Sequence, residues 1–299
     1  MSNNKKIISV FGATGAQGGS VARALLKAGY EVRAFTRNVD SEASKKLKEV
    51  GATLVKADIS QPEQDLQKAI EGSYGVFLVT SFDGTPVNTE FEQGSKVANA
   101  SLKANVKHLV FSGLSPCQAI SNGKLYVAHF DEKFKVEEYL RKLSLDNAAF
   151  VTSFVYPPFY FQNFLSYYKP SKNEDGSYTI SLPQDPKVPL DMSDITDIGA
   201  IVAAEFQHPE KYSGKVVPFS GSFLTGEEIV KVTGKTVKYN FIPTEVYAKL
   251  FPGAQELADM FEFFTHYGTF PTQDKTIAPT ITKLSTLEDY LISTNFKLE

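Results

Sequence analysis

The chain contains 299 residues, 42% of them hydrophobic and 22% charged. That is enough apolar material for a sizeable core, in one large domain or in a larger and a smaller one. A formal charge of −3 gives no electrostatic case for nucleic acid or an anionic membrane, and a single cysteine, Cys117, excludes an intramolecular disulfide. No apolar run reaches membrane-spanning length, and Met1-Ser2-Asn3-Asn4-Lys5-Lys6 has no leader or transit-peptide pattern. The expectation is a protein of the cytosol that could also enter the nucleus.

Lys6 to Phe11 is an apolar run short enough for one buried strand, and Ser20 to Leu26 carries alanine and leucine at helical period. Between them lies a glycine-rich turn. Gly29 closes the first helix, and Glu31 to Thr36 reads as a second strand. A polar stretch from Asn38 to Ser44 leads into a helix ending at Gly51. Ala52 to Lys56 is a third strand, Pro62 starts a helix through Glu71, and Gly75 to Thr80 is a fourth strand. A long helix from about Val87 to Ala104 precedes a fifth strand, His108 to Ser112. A sixth, Ala148 to Tyr156, is ended by Pro157-Pro158. Strands alternating with helices predict an α/β fold, a doubly wound parallel sheet of Rossmann type. Beyond about residue 150 the alternation loosens. Tyr178 to Leu182 reads as a short strand, and Lys215 to Phe219 as a segment that could return to the main sheet. Asp194 to Phe206, Glu227 to Val232, Pro243 to Leu250 and Gln255 to Tyr267 carry helical patterns. The division predicted is 1–150 for the nucleotide-binding part and 151–299 for a smaller C-terminal α+β region.

The turn holds the sharpest signal. In Gly12-Ala13-Thr14-Gly15-Ala16-Gln17-Gly18 the glycines are spaced G-x-x-G-x-x-G, between a strand and a helix. The first glycine permits a tight reversal, and the second lets backbone N–H groups approach a pyrophosphate. The third lets the helix pack close to the strand, and the helix N-terminus adds partial positive charge. A ligand in such a sheet lies at the carboxyl ends of the strands, where Thr36-Arg37, Asp58-Ile59 and Thr80-Ser81 also fall. A site selective for NAD(H) usually ends the second strand with an acid; here Thr36 and Arg37 stand there, with Asn38 next. A guanidinium can bond a 2′-phosphate that a carboxylate would repel. NADP(H) is therefore expected before NAD(H), unless Arg37 is simply a solvated loop residue. Asp58 could contact adenine or cap the turn that follows it.

A catalytic group is less clearly written. Reductases on this scaffold often use Tyr-x-x-x-Lys, the lysine bonding the nicotinamide ribose and lowering the phenol pKa. Lys133 suits the second position, but His129 stands four residues before it. The two share a helical face, and histidine can carry a proton near neutral pH. Tyr126 joins that face if the helix begins early enough, and Ser112 or Ser115 could complete a constellation. The plainer alternative is a packed His129 and a Lys133 that only holds a ribose. Cys117 has no neighbouring cation in sequence and no sign of a reactive thiolate. No metal site is expected.

The opening Val10-Phe11-Gly12-Ala13-Thr14-Gly15-Ala16-Gln17-Gly18-Gly19-Ser20-Val21-Ala22 resembles the NmrA-like family of atypical short-chain dehydrogenases. So do Ala128-His129-Phe130-Asp131-Glu132-Lys133 with Val136-Glu137-Glu138-Tyr139-Leu140, and Pro209-Glu210-Lys211-Tyr212. Phe251-Pro252-Gly253-Ala254-Gln255-Glu256-Leu257-Ala258 adds a further match. The resemblance implies a Rossmann fold that lacks the reductase tyrosine, in a regulator sensing the nicotinamide redox state. It implies Gly12, Thr14, Gly15, Ala16 and Gln17 at the pyrophosphate and Arg37 on the 2′-phosphate side. Asp58 and Ile59 would meet adenine, Thr80 and Ser81 would lie along the cofactor, and Lys133 would hold the nicotinamide ribose. Val155, Tyr156, Pro157 and Pro158 would lie beside the nicotinamide. The family often has a second basic residue shortly after the Arg37 position, where this chain has Asn38, Val39, Asp40 and Ser41, which weakens the expected preference for NADP(H). The rival expectation is an NADPH-dependent reductase of a small carbonyl, quinone or enone. A regulatory protein partner, or a second copy, is expected at the C-terminal region. There Leu257, Met260, Phe261, Phe264 and Tyr267 form an apolar stripe that either meets that partner or packs on the region's own core.

Overall fold

A computed structural model describes residues 5–81, 89–233 and 236–296. The first elements follow the alternation of the sequence: β1 (Ile7–Val10), α1 (Ala16–Lys27), β2 (Glu31–Thr36), α2 (Glu42–Glu49), β3 (Thr53–Lys56), α3 (Glu63–Ile70), β4 (Gly75–Leu78), α4 (Thr89–Lys103), β5 (His108–Ser112), the single turn α5 (Cys117–Ile120), α6 (Ala128–Asp146) and β6 (Val151–Tyr156). Val87, where the fourth long helix was expected to begin, lies outside the described residues. Beyond β6 the elements are named by their residues.

The chain divides into two compact units. One comprises Met1–Leu114, Glu132–Tyr156 and Thr196–Val217; the other comprises Ser115–Asp131, Pro157–Ile195 and Pro218–Glu299. The first unit is organised on a seven-stranded sheet in the order Val216–Pro218, β6, β5, β4, β1, β2, β3. The pairings among β1 to β6 are all parallel. Every residue of β4 and β5 is buried, which is why these strands read as unbroken apolar runs rather than as an alternation. Helix α1 buries Val21, Ala22 and Leu25 and packs on the Ile198–Gln207 helix. That contact is fixed by the Ser20 hydroxyl donating to the Thr196 carbonyl at 2.7 Å. The sheet reverses strand order between β1 and β4, and that is the switch point where a doubly wound fold opens a crevice.

The second unit carries two three-stranded sheets. In one, Leu190–Ser193 lies between Phe159–Tyr160 and Ser222–Leu224. In the other, Tyr178–Leu182 lies between Ser171–Lys172 and Val237–Phe241. Capping boxes of Thr225 with Glu228 and of Thr286 with Asp289 start the helices Gly226–Val232 and Leu287–Ser293. The stripe on the helix Ala254–Tyr267 turns inward. Met260, Phe261 and Phe264 are buried, with the Phe261 ring against Phe159 and Tyr168 and the Phe264 ring against Phe130. These residues are core of their own unit. No helix among the described residues is long and apolar enough to cross a membrane.

Candidate functional site

The turn after β1 has the conformation its glycines suggest. Gly12 takes a left-handed φ of +62°, and the Gly15 N–H donates to its carbonyl at 2.9 Å. A Cβ on Gly18 would sit 2.3 Å from the Gly12 oxygen, so only glycine lets α1 start this close to β1. Gly15 is different. Its backbone is extended, and it caps α1 with no side-chain hydrogen bond and no acidic residue in the first turn. No side-chain cap and no acid of its own first turn therefore competes for the positive end of that helix. Gly12, Thr14, Gly15 and Ala16 are exposed, while Ala13 and Gly18 are buried beneath them. Ser112, at the end of β5, donates to the Gln17 Oε1 at 2.7 Å and orients that carboxamide. This cradle fits a pyrophosphate: exposed glycine backbone at a positive helix end.

At the end of β2 the Arg37 side chain is 86% exposed, with its Nε 3.7 Å from Asp58 Oδ2. Asp58 also closes its own turn, accepting from the Ser60 N–H at 2.8 Å and from the Ser60 hydroxyl. Partial burial raises the Asp58 pKa, but the Ser60 bonds and the cations of Arg37 and Lys96 outweigh it and hold the carboxyl below its ordinary value. The Ser60 bonds give Asp58 its turn-closing role, which is compatible with a contact to adenine. Asn38 likewise serves its loop: its N–H donates to Thr36 Oγ1 at 3.2 Å, and its Oδ1 accepts from the Asp40 N–H at 2.9 Å. Ile59 is half-buried, and Ser81 is exposed at the end of a described segment.

Lys133 lies buried on α6. Its Nζ donates to the Thr80 carbonyl at 2.9 Å and to Thr80 Oγ1 at 3.1 Å, and it is paired with Glu90 Oε1. Burial pushes the Lys133 ammonium toward losing its proton, and Glu90 opposes that, with burial the larger effect. Glu90 is the residue that sequence reasoning missed. An acid in the first turn of a helix reads as a complement to the helix dipole, and nothing in the sequence joins it to a lysine 43 residues on.

Other expected residues are engaged in ways the sequence did not indicate. The buried Tyr156 hydroxyl donates to Glu137 Oε2 at 2.7 Å, and Arg141 clasps Oε1 of the same carboxylate at 2.7 and 2.9 Å. That ties β6 to α6 and leaves the Tyr156 side chain buried inside its unit; Val155 is buried too. In the second unit, His129 gives both its ring Nδ1 and its backbone N–H to Glu256 Oε1. Burial raises the Glu256 pKa, but the His129 contacts outweigh it and hold the carboxyl below its ordinary value. So His129 and Lys133, expected to converge, have different carboxylates as partners. Helix α6 begins at Ala128, which leaves Tyr126 off the helix and off their shared face. Ser115 donates to the Thr269 carbonyl at 3.1 Å and Ser112 to Gln17 Oε1. Pro157 and Pro158 are buried after β6. Cys117 is buried, and burial, with Asp131 and Glu256 nearby, raises its pKa far from thiolate chemistry.

A parallel sheet in this order, with a glycine turn at its switch point, places the chain in the class of Rossmann-type α/β proteins. The chain belongs to the NmrA-like family, whose model matches residues 4–291. An NmrA-like family domain-containing protein of Dictyostelium discoideum is 43% identical over 99% of this chain and 100% of that one. The NmrA-like oxidoreductase FrzB of Cladobotryum sp is 36% identical over 85% of this chain and 81% of its own length. Among solved structures, the negative transcriptional regulator NmrA in complex with NAD superimposes with a TM-score of 0.82. That match has 22% identity and covers 98% of this chain and 99% of the other. The NADPH-dependent quinone oxidoreductase QOR2 of Escherichia coli, complexed with NADPH, gives a TM-score of 0.74 at 22% identity, over 97% and 99%. These structures share the fold.

Proposed function

We propose that this chain binds NADP(H) in its first unit and acts as a regulatory protein, in the cytosol or nucleus, with little or no dehydrogenase activity. The observation that carries the reading is the open glycine cradle at the start of α1, with the exposed Arg37 where an NAD-selective site would hold an acid. Gly12, Thr14, Gly15, Ala16 and Gln17 hold the pyrophosphate above the buried Ala13 and Gly18, and Arg37 and Asn38 lie on the 2′-phosphate side. Asp58 and Ile59 bound the adenine, Thr80 and Ser81 flank the path of the cofactor, and Lys133 serves the nicotinamide ribose. Val155 and Tyr156, at the end of β6, lie on the nicotinamide side, and Pro157 and Pro158 follow them in sequence. NmrA, a negative transcriptional regulator by its description, is crystallised with NAD and with NADP, which supports both the cofactor and the regulatory role. The regulated partner, or a second copy, docks on the second unit.

The reductase reading rests on the relatives described as oxidoreductases, FrzB and lnaB. Bound NADPH would supply a hydride, and this chain would have to supply the proton. The residue four before Lys133 is His129, already given to Glu256, and the Lys133 donors are given to Thr80 and Glu90. The Lys133 commitments favour the regulator; the His129–Glu256 pair engages one ring nitrogen and does not decide between the readings. Calorimetric titration with NADPH and NADH, beside a screen for NADPH consumption over carbonyls and quinones, tests both. Tight NADPH binding with background turnover is expected. No binding would overturn the cofactor assignment, and sustained turnover would overturn the regulator.

A further inference from the structure

The Lys133–Glu90 pair is joined to the glycine cradle through Thr80, which Lys133 bonds and which follows Val79 in sequence. A Cβ on Gly12 would come 2.9 Å from Val79 Cγ1, so the segment carrying Thr80 runs along the turn at the carboxyl end of β4. An ammonium has three N–H donors and no acceptor. Lys133 spends all three, on the Thr80 carbonyl, Thr80 Oγ1 and Glu90 Oε1. The Glu90 side chain is 3% exposed, and its Oε2 is buried with no hydrogen-bond partner among the described residues. A carboxyl oxygen left unmet in the interior carries the desolvation cost of that group. The pair therefore offers a ligand one unspent group, and it is an acceptor. A phosphate or carbonyl oxygen would be repelled there, whereas a hydroxyl would satisfy it.

We infer that Glu90 is a ligand-binding residue of the dinucleotide site, its Oε2 accepting a hydrogen bond from a hydroxyl of the nicotinamide ribose while its Oε1 holds Lys133 in place. The inference rests on the NADP(H) reading and deepens it. Lys133, given to the ribose by the sequence pattern, becomes the residue that fixes the acceptor, and Glu90 becomes the one that reads the sugar.

The test is calorimetry of the full chain and of Glu90→Gln with three probes. These are NADPH, an NADPH analogue with a 2-deoxyribose on the nicotinamide side, and adenosine 2′,5′-bisphosphate, which has no nicotinamide ribose. Glu90→Gln is expected to weaken NADPH on the order of tenfold, the loss of one hydrogen bond to a charged group, and to leave the bisphosphate unchanged. The deoxy analogue is expected to bind the unchanged protein more weakly than NADPH does, with that difference vanishing in Glu90→Gln. Equal NADPH affinities, or an equal loss for NADPH and the bisphosphate, would overturn the inference and leave the cofactor reading standing. Deoxy analogue and NADPH binding equally to the unchanged protein would overturn it even if the variant does not fold. No NADPH binding to the unchanged protein would overturn both.

Discussion

Gly12, Gly15 and Gly18 occupy one turn, yet a side chain at each would meet something different. At Gly18 it would strike backbone, 2.3 Å from the Gly12 oxygen; at Gly15 its nearest neighbour is the same oxygen at 3.3 Å, and the backbone is extended. Gly18→Ala is therefore a folding variant, with a cost of about 3 kcal/mol from overpacking against atoms that cannot move aside, read as a lower thermal midpoint. Gly15→Val is a binding variant. Its melting should stay close to that of the unchanged protein while NADPH heats vanish from calorimetry, because the isopropyl group fills the place of the pyrophosphate. Unaltered NADPH affinity in folded Gly15→Val would dismiss the site. Arg37 allows a finer test, since its side chain is exposed and its ion pair with Asp58 is long. Arg37→Ala should weaken NADPH more than NADH, by about 1.5–3 kcal/mol for a lost charge-assisted contact. Equal losses would mean that the guanidinium stacks on adenine and does not read the phosphate.

Among the elements, the Ile198–Gln207 helix carries the oddest residue. Glu205 is 0% exposed, and neither carboxylate oxygen has a hydrogen-bond partner. Burial raises its pKa well above the ordinary 4.5, so the folded chain holds this proton more tightly than the unfolded chain does. The penalty is absent below the unfolded value and grows as pH rises above it, up to the folded pKa. Glu205→Met should raise the thermal midpoint more at about pH 8 than at about pH 5; an equal rise at both would show that Glu205 is ionised in the fold. Such a residue was not legible in the sequence, where an acid late in a helix reads as a solvated face. What was legible followed local pattern. The strands β4 and β5 declared themselves as apolar runs between turns, because the centre of a parallel sheet covered on both faces needs them, and the cradle declared itself by glycine spacing. Val237–Phe241 was passed over although Val237, Tyr239 and Phe241 alternate with polar residues, a period of two in a short segment. The pairs Lys133–Glu90, Tyr156–Glu137 and His129–Glu256 join residues 43, 19 and 127 apart. No local pattern records such distances.

For the whole molecule the question is whether bound cofactor changes what the protein does to a partner or to a substrate. A ligand shifts an equilibrium only by its differential affinity for the two states, so a sensor must differ with and without NADPH in something besides occupancy. The stripe Met260, Phe261 and Phe264 is spent on the second unit's core, which moves the proposed partner surface to side chains still in solvent. Val246, Leu250 and Phe251 are such side chains, near the small cluster of Tyr247, Ala254 and Ala258. Phe261→Ala should accordingly act as a core truncation, costing about 3–5 kcal/mol, whereas Leu250→Glu should leave melting nearly unchanged and weaken association. The decisive comparison runs limited proteolysis and sedimentation with and without NADPH, beside a turnover screen. A regulator predicts a changed cleavage pattern or oligomeric state and background turnover. A reductase predicts sustained NADPH oxidation with some carbonyl or quinone, lost in Lys133→Ala and in His129→Phe or Tyr126→Phe. Sustained turnover together with identical cleavage and sedimentation in both states would end the regulatory reading.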